Sequence, residues 1–277
     1  MADWRPIIKC RDDGFPRIMG IINATPDSFF SESRVNSLES IVEKAIEMAN
    51  NGADWIDIGG ESTRPGATLV TADEEMKRVI KAIESIRDEL PNIGISLDTR
   101  KAEVARNGLI HGADLINDIS SLSDPQMLDV VIENKCPICI MHMQGSPENM
   151  QHNPSYGNAV REVGECLMGT SNELIQAGVK PEDIINDPGI GFGKNLSHNI
   201  ELISSGRDII SDNKMSLMWG VSRKTIFADL LGRDETKDRL AGTLGVAAMA
   251  PKKGVDIVRV HDVAEHYDLY STMIALE

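Results

Sequence analysis

The sequence is poor in aromatic and basic residues, and each shortage argues against a class of protein. Phe, Trp and Tyr make up 4% of the 277 residues, which argues against a surface that stacks on nucleic-acid bases. Lys and Arg number 28 against 43 acidic residues, giving a formal charge of −15, whereas nucleic-acid binders normally show a basic face. A small anionic ligand stays compatible with this charge, because a few basic side chains can form a local positive pocket.

The chain also lacks a long apolar run. No stretch approaches the roughly 20 consecutive apolar residues that a membrane-spanning helix needs. Residues 1–6 have none of the apolar core that a signal peptide carries. We therefore expect a cytoplasmic protein that binds neither membranes nor nucleic acid.

Cysteines are few, and two of the four, Cys136 and Cys139, have the spacing of redox and zinc sites. Both fall in the apolar stretch 136–143, which the pattern predicts as a buried strand. Residues three apart on a strand point to opposite faces, so these two thiols could not hold one metal ion together. We interpret them as buried structural residues.

Short apolar segments alternate with amphipathic segments along the whole chain. Residues 55–58 are typical: an apolar strand that contains Asp57 runs into a loop opened by a glycine pair and bounded by Pro65. Eight such strand–helix units, spaced roughly 30 residues apart, predict an α/β fold, a single (β/α)8 TIM barrel with eight parallel strands, in one domain over residues 1–277. The turn residues at 12–14 further predict a β-hairpin over residues 7–17.

A doubly wound open sheet is the alternative fold. In such a sheet, polar functional residues gather at one switch point in the strand order. Here polar residues follow all eight predicted strands, which favours the barrel.

In a barrel, these polar strand ends meet on one face. The residues concerned are Asn23, Asp57, Asp98, Asn117, His142, Asp187, Ser222, Arg223, Lys224, Arg259 and His261. Taken singly, each has an ordinary explanation, such as a helix cap. Together the carboxylates and amides have few obvious partners in the sequence, although buried polar groups must be hydrogen-bonded. A flat heterocycle with donors and acceptors would satisfy them, and the cationic residues, with Arg64, suggest an anionic group on the same ligand.

Several segments at these positions resemble the signature segments of dihydropteroate synthases. They are residues 19–29 (MGIINATPDSF), 59–67 (GGESTRPGA), 97–99, 116–119, 141–145, 187–194, 222–224 and 259–262. They occur in order over nearly the whole chain. The resemblance implies a (β/α)8 fold and the condensation of 6-hydroxymethyl-7,8-dihydropterin diphosphate with p-aminobenzoate, a step of folate biosynthesis that releases pyrophosphate in the presence of Mg²⁺.

The resemblance also implies roles for individual residues. The catalytic residues would be Asp98, Lys224, Arg259 and Asn23. The pterin would be bound by Asp57, Asp98, Asn117, Asp187 and Lys224. The diphosphate would be bound by Asn23, Arg259 and His261, with Asn23 also contacting the Mg²⁺. The p-aminobenzoate site would be bordered by Thr63, Arg64, Pro65, Phe192, Ser222 and Lys224.

Two polar loops, residues 25–35 and 61–68, are expected to close over the site and exclude water. The sequence departs from the resembled pattern in the first loop, where residues 30–34 replace an Asp-Gly-Gly turn. It departs again at Arg100, where many relatives have a small or uncharged residue. A homodimer that pairs through the last helices is also expected from the resemblance.

Three other functions compete with this interpretation. A methyltetrahydrofolate:corrinoid methyltransferase would share the pterin site, but it would not need residues 62–65 or a diphosphate site at residues 259–261. A synthase that acts on a modified pterin or a ribosylated aminobenzoate is a closer variant. A non-catalytic pterin-binding protein would bind pterin without turnover.

Overall fold

Eight parallel strands close into a barrel, in which each strand is hydrogen-bonded to the next in chain order and the last returns to the first. The computed structural model describes residues 7–24, 34–62, 70–146 and 149–276, without the side chains of residues 34–37. The strands are β1 Arg17–Asn23, β2 Trp55–Gly59, β3 Gly94–Asp98, β4 Leu115–Asp118, β5 Ile138–Met141, β6 Ile184–Asp187, β7 Ser216–Trp219 and β8 Ile257–Val260. The predicted (β/α)8 barrel is confirmed, whereas the domain bounds of 1–277 stay a prediction.

Helices surround the barrel. They are α1 Arg34–Asn50, α2 Ala72–Glu89, α3 Ala102–Ile110, α4 Met127–Asn134, α5 Ala159–Gln176, α6 Leu196–Ser205, α7 Ile226–Leu231, α8 Leu240–Ala247 and α9 Val263–Leu276. Short 3₁₀ turns lie at Pro181–Asp183, Gly206–Ile209, Thr236–Arg239 and Pro251–Lys253. Within the described ranges, no helix is both long enough and apolar enough to cross a membrane.

Helix α2 illustrates why these segments are helical. The Thr71 hydroxyl accepts a hydrogen bond from the Glu74 N–H and caps the first turn. Val79, Ile83 and Ile86 recur at helical spacing and are fully buried. They belong to the main apolar cluster, where the strands meet the surrounding helices.

A second, smaller apolar cluster fills the lower part of the barrel. Its members are Ile8, Met19, Trp55, Leu115, Cys139, Ile185, Met218 and Ile257. On each strand, the next residue that points into the barrel lies two positions after the cluster member. Cys136 packs in the main cluster and Cys139 in this inner one, so the two thiols lie on opposite sides of the sheet as predicted.

The N-terminal segment differs from the predicted hairpin. The turn at residues 12–14 forms, and the Arg11 N–H donates to the Phe15 carbonyl at 2.9 Å. Among the described residues 7–16, however, there is no strand. Ile8 packs into the inner cluster instead, and the Trp55 indole N–H donates to the Ile7 carbonyl at 3.1 Å. The segment therefore packs across the end of the barrel instead of forming a hairpin.

Three aspartates hold the same end of the barrel in the same way. Asp54, Asp114 and Asp256 directly precede strands β2, β4 and β8, respectively. Each carboxylate accepts a hydrogen bond from a backbone N–H on the preceding strand, at 2.8–2.9 Å. Each also pairs with an arginine: Asp54 with Arg11 and Arg17, Asp114 with Arg87, and Asp256 with Arg207. These pairs fix the strand register at the amino ends of the strands, the end of the barrel that lies opposite the polar strand ends.

We predict that Asp54→Ala lowers the free energy of unfolding by about 3 kcal/mol, because it leaves two partly buried guanidinium groups and the Ile18 N–H without their acceptor. Urea unfolding checks this result. The control Asp12→Ala, at an exposed turn position, should change stability by less than about 0.5 kcal/mol. Equal stabilities for the two variants would contradict the prediction.

Candidate active site

The polar residues at the strand ends lie one inward-facing step above the inner apolar cluster. Asp57 follows Trp55 by two residues, Asn117 follows Leu115, and Arg259 follows Ile257. Because alternate residues of a strand share a face, each lies directly above an apolar plug residue. The period of two therefore places the charged groups at the carboxyl end of the barrel.

Arg259 joins the two carboxylates of this end. Its Nε donates to Asp57 Oδ2 at 2.6 Å, and its Nη2 lies 2.5 Å from the same oxygen and 2.7 Å from Asp98 Oδ2. Asp57 is fully buried and also accepts from the Ser96 hydroxyl at 2.5 Å and, more weakly, from the Asn117 amide at 3.4 Å. From the sequence, few internal partners are expected for these carboxylates. That expectation is wrong, because β8 supplies a cation that bridges β2 and β3.

Burial dominates the electrostatics of this network. It raises the pKa of Asp98 to about 7, even though Arg259 acts in the opposite direction. The neighbouring Asp57 carboxylate adds to this rise in the pKa of Asp98, because two close negative charges repel. Asp98 is therefore a carboxyl group whose charge responds to any cation placed near it.

Asp187, at the end of β6, and Lys224, in the loop after β7, form a second polar group at this end of the barrel. Asp187 Oδ1 accepts from the Gly189 N–H at 2.7 Å, and burial raises the pKa of this carboxyl group. The Lys224 ammonium donates to the Ile190 carbonyl and lies 4.2 Å from the centre of the Phe192 ring. Burial lowers the pKa of Lys224 to about 8, against the attraction of Asp187. A cation, a carboxylate and an aromatic face thus share one wall.

Ser222 and His261 form a further pair at the rim. The Ser222 Oγ lies 2.9 Å from His261 Nδ1 and accepts from the His261 N–H at 3.1 Å. Burial and the charge of Arg259 lower the pKa of His261 to about 4, so its ring is neutral at pH 7. His261 can therefore donate a hydrogen bond to an anion without carrying a charge.

Arg223 does not join the positive pocket that the sequence suggested. Its guanidinium forms a two-pronged pair with Asp262, with Nε 2.8 Å from Oδ2. Its backbone has a φ of +56° and donates to the Thr243 hydroxyl at 3.0 Å. Arg223 therefore shapes the turn that carries Ser222 and Lys224.

Asn23 ends β1 at this face and is partly exposed. Among the described residues, no group of three or more His, Cys, Asp or Glu side chains could hold a metal ion. A lone amide oxygen fits Mg²⁺ only where the ion keeps waters and takes most of its other ligands from phosphate. The donor set suits a metal that arrives with a diphosphate.

Several predicted residues lie outside the described ranges. They are Thr63, Arg64 and Pro65 of the p-aminobenzoate site, residues 25–33 of the first loop and the remainder of the second loop up to residue 68. The described ends of the second loop are held together: Glu61 accepts from the Val70 N–H at 3.0 Å and pairs with Arg100 at 3.2 Å and Lys101 at 2.8 Å. Arg100 thus supports the base of that loop.

A family model described as pterin binding enzyme matches residues 19–261. The chain belongs to the pterin-binding enzyme family. A dihydropteroate synthase from Escherichia coli K12 is 44% identical to it over 254 residues, which are 92% of this chain and 89% of the relative.

Solved structures of this pterin-binding family agree with the fold. The chain superposes on a Xanthomonas albilineans dihydropteroate synthase with 4-aminobenzoic acid, with a TM-score of 0.87 and 37% identity over 95% of this chain and 93% of that chain. A structure from the same organism in complex with 7,8-dihydropteroate gives a TM-score of 0.85 and 33% identity over 96% and 95% of the chains.

Ser96 contacts Asp57 at this barrel end, although it is not among the residues predicted from the sequence. The signal was present, since Ser96 precedes Asp98 by two residues on the same strand and therefore shares its face. The contrast between Asn117 and its neighbour Asp118 is likewise not predicted. The Asp118 carboxylate turns to the following loop and accepts from the Ser120 and Leu122 N–H groups, each at 2.8 Å.

We predict that Arg259→Gln raises the pKa of Asp98 by about one pH unit or more above its value near 7, because an opposite charge in contact favours the ionised form. Carbon-detected NMR titration of the aspartate carboxyl groups measures this value. Arg17→Gln, which removes an arginine from Asp54 at the other end of the barrel, is the control. An Asp98 titration that is identical in both variants would rule out the proposed coupling.

Proposed function

We propose that this protein is a dihydropteroate synthase, a transferase of folate biosynthesis. It condenses 6-hydroxymethyl-7,8-dihydropterin diphosphate with p-aminobenzoate and releases 7,8-dihydropteroate and pyrophosphate. The 44% identity to the E. coli enzyme over most of both chains supports this reaction. So do the similar structures that hold 4-aminobenzoic acid and 7,8-dihydropteroate.

The observation that carries the proposal is the division of charge within one barrel end. Asp57, Asp98 and Asp187 lie on strands β2, β3 and β6. Arg259 lies on β8, where it contacts Asp57 and Asp98, and His261 lies directly after that strand. Carboxylates suit the N–H donors of a pterin ring and any positive charge that develops on it. An arginine beside a neutral histidine suits a diphosphate. One ligand that carries both a pterin and a diphosphate satisfies both groups.

The chemistry follows from this arrangement. The carbon–oxygen bond between the pterin methylene group and the diphosphate breaks, and its electron pair leaves with the pyrophosphate. The aniline nitrogen of p-aminobenzoate then forms the new carbon–nitrogen bond with its lone pair and loses one proton to solvent water. The cation formed in between is delocalised into the ring, where the preorganised carboxylates of Asp98 and Asp57 lower its energy.

Asn23 is proposed to contribute its side-chain oxygen to a Mg²⁺ ion bound with the diphosphate. When bound, the ion neutralises negative charge on the departing pyrophosphate. Arg259 and His261 bind and orient the same group. Asn117, Asp187 and Lys224 are proposed to hold the edge of the pterin ring.

The acceptor is proposed to bind on the side of Lys224. The Phe192 ring, next to the Lys224 ammonium, offers a flat apolar surface for the benzene ring, and Ser222 lies at the rim. The loop residues Thr63, Arg64 and Pro65 complete this proposed site.

A homodimer and a cytoplasmic location are also part of the proposal. Large apolar side chains are exposed on the last helices and next to them, which supports pairing of two copies there. They are Leu230, Leu231, Met249, Tyr267, Ile274 and Leu276.

The decisive experiment is turnover of the pterin diphosphate with p-aminobenzoate and Mg²⁺, followed by mass spectrometry of both products. We expect dihydropteroate and pyrophosphate in equal amounts. Removal of Mg²⁺ with EDTA should stop turnover, and added Mg²⁺ should restore it. Because the ion is proposed to take most of its ligands from the diphosphate, binding of 6-hydroxymethyl-7,8-dihydropterin without its diphosphate should not depend on Mg²⁺.

The other outcomes separate the competing functions. Pterin binding without any dihydropteroate would contradict the proposal and favour a binding protein. A product formed only with a modified acceptor would favour a variant synthase. Methyl transfer from methyltetrahydrofolate to a corrinoid would favour the methyltransferase.

We predict that Asp98→Asn lowers kcat by about tenfold or more, equal to about 1.4 kcal/mol of transition-state stabilisation, because the amide cannot offset the developing positive charge. The control Asp118→Asn changes a buried carboxylate on the next strand that faces the loop. Its kcat should stay within about twofold of the parent value. A kcat for Asp98→Asn close to that of the control would remove Asp98 from the mechanism.

A further inference from the structure

The loop between β6 and α6 is held by side chains along its whole backbone. Its five successive carbonyls, at residues 189–193, each accept a side-chain hydrogen bond. The donors are Lys194 to Gly189 and Phe192, Lys224 to Ile190, Gln151 to Gly191, and Tyr156 to Gly193. A loop has no sheet ladder to pair its carbonyls, so these donors fix its shape.

Lys194 occupies the centre of this arrangement. Its side chain is buried, with 3% of the residue exposed. The ammonium lies 3.0 Å from the Gly189 carbonyl and 2.8 Å from that of Phe192. It also lies 3.1 Å from the carbonyl and 3.0 Å from Nδ1 of His142, at the end of β5. One buried cation therefore ties the loop to the neighbouring strand.

The protonation states agree with this reading of the contacts. Burial and the charge of Lys194 lower the pKa of His142 to about 4, so its ring is neutral at pH 7 and its Nδ1 can accept a hydrogen bond. Burial lowers the pKa of Lys194 to about 7, while Asp187 opposes that change. Near pH 7 the side chain is therefore partly ammonium, and in that form its three N–H bonds face four acceptors, so that every bond is used.

The backbone around the lysine is too close for side chains. At Gly189, with a φ of +66°, an added Cβ would lie 1.9 Å from the His142 carbonyl oxygen. At Gly193, with a φ of +58°, it would lie 2.5 Å from the Gln144 carbonyl oxygen. The two glycines let the loop pack directly on the segment after β5, where the Lys194 ammonium joins them.

The loop carries groups for both sides of the candidate site. The Gly189 N–H positions the Asp187 carboxylate, and the Ile190 carbonyl positions the Lys224 ammonium. The Phe192 ring contacts the same ammonium. A shift of this loop would therefore move a pterin contact and an acceptor contact together, while Asp98 and Arg259 on other strands keep their own hydrogen bonds.

We propose that Lys194 is a positioning residue for substrate binding: it fixes the loop at residues 188–194 and so sets where Asp187, Lys224 and Phe192 meet the pterin and the acceptor. This role rests on the proposed function. Lys194 itself touches neither substrate, because its ammonium is enclosed by loop carbonyls and His142.

A role in stability alone is the competing explanation. Burying a lysine costs free energy, and a purely structural site would lose stability on substitution without a selective effect on substrate affinity. The two explanations differ in KM and kcat, so kinetics of folded variants separates them.

The test variant is Lys194→Met, which keeps most of the side-chain volume and removes the donors. Its matched control is Lys9→Met at the opposite end of the barrel. Lys9 also donates to two carbonyls, of Asn213 at 3.0 Å and Met215 at 2.5 Å, and burial also lowers its pKa. Circular dichroism and thermal unfolding establish that each variant is folded.

We expect Lys194→Met to raise KM for both substrates by about tenfold, equal to about 1.4 kcal/mol, with kcat within about threefold. Lys9→Met should lower the melting temperature and leave both KM values within about twofold. Unchanged KM values in folded Lys194→Met would overturn the proposal, as would an equal change in the control.

His142→Phe, which keeps a ring beside Tyr156, keeps the test open if Lys194→Met does not fold. It removes the ring acceptor and leaves the ammonium its three carbonyls, so a KM increase of about threefold is expected for both substrates. Unchanged KM values in this variant would then overturn the proposal.

Calorimetry with 6-hydroxymethyl-7,8-dihydropterin separates this proposal from the proposed reaction. If the parent protein makes no dihydropteroate, the reaction is wrong. The positioning role then still requires pterin to bind the folded variant about tenfold more weakly than the parent, and equal affinities would exclude it.

Discussion

The candidate site depends on one buried interaction, the bridge from Arg259 to Asp57 and Asp98. Two carboxylates set into neighbouring strands of a barrel repel each other and lose hydration. Arg259, which arrives from the last strand, offsets both effects with contacts of 2.5–2.7 Å. The site can keep negative charge in the protein interior because the closure of the barrel brings β8 beside β1 and its side chains across to β2 and β3.

Barrel geometry explains why the charge lies at this depth. Apolar residues such as Trp55 and Leu115 fill the barrel below, and the next inward-facing positions carry Asp57 and Asn117. At the opposite end, Asp54 and its two equivalents use arginines and strand N–H groups to fix the register. Stability and chemistry are thus separated along the strand axis. Substitutions at the two ends should consequently be distinguishable by unfolding and by kinetics.

The sequence predicted the barrel because short apolar strands and amphipathic helices alternate eight times, and this pattern depends only on local order. It predicted which strand ends are polar for the same reason. It did not predict that Arg259 turns inward to Asp57, because these residues lie 202 positions apart and only barrel closure joins them. Nor did it predict that Arg223 pairs with Asp262, because the adjacent residues Arg223 and Lys224 look equivalent until the conformation of the turn is known. The hairpin prediction is wrong because Ile8 packs into the apolar cluster inside the end of the barrel.

The bridge also constrains how a ligand enters. Arg259 already pairs with Asp98, so a pterin that donated hydrogen bonds to Asp98 would have to share that carboxylate with the guanidinium or displace it. Displacement is inexpensive only if the guanidinium gains another anion, and a diphosphate on the same ligand supplies one. The two halves of the ligand therefore act on one residue. If the proposed roles hold, a pterin without its diphosphate would leave Arg259 on the carboxylates, whereas the complete ligand would draw the guanidinium toward the leaving group and free Asp98 to face the charge that develops on the ring.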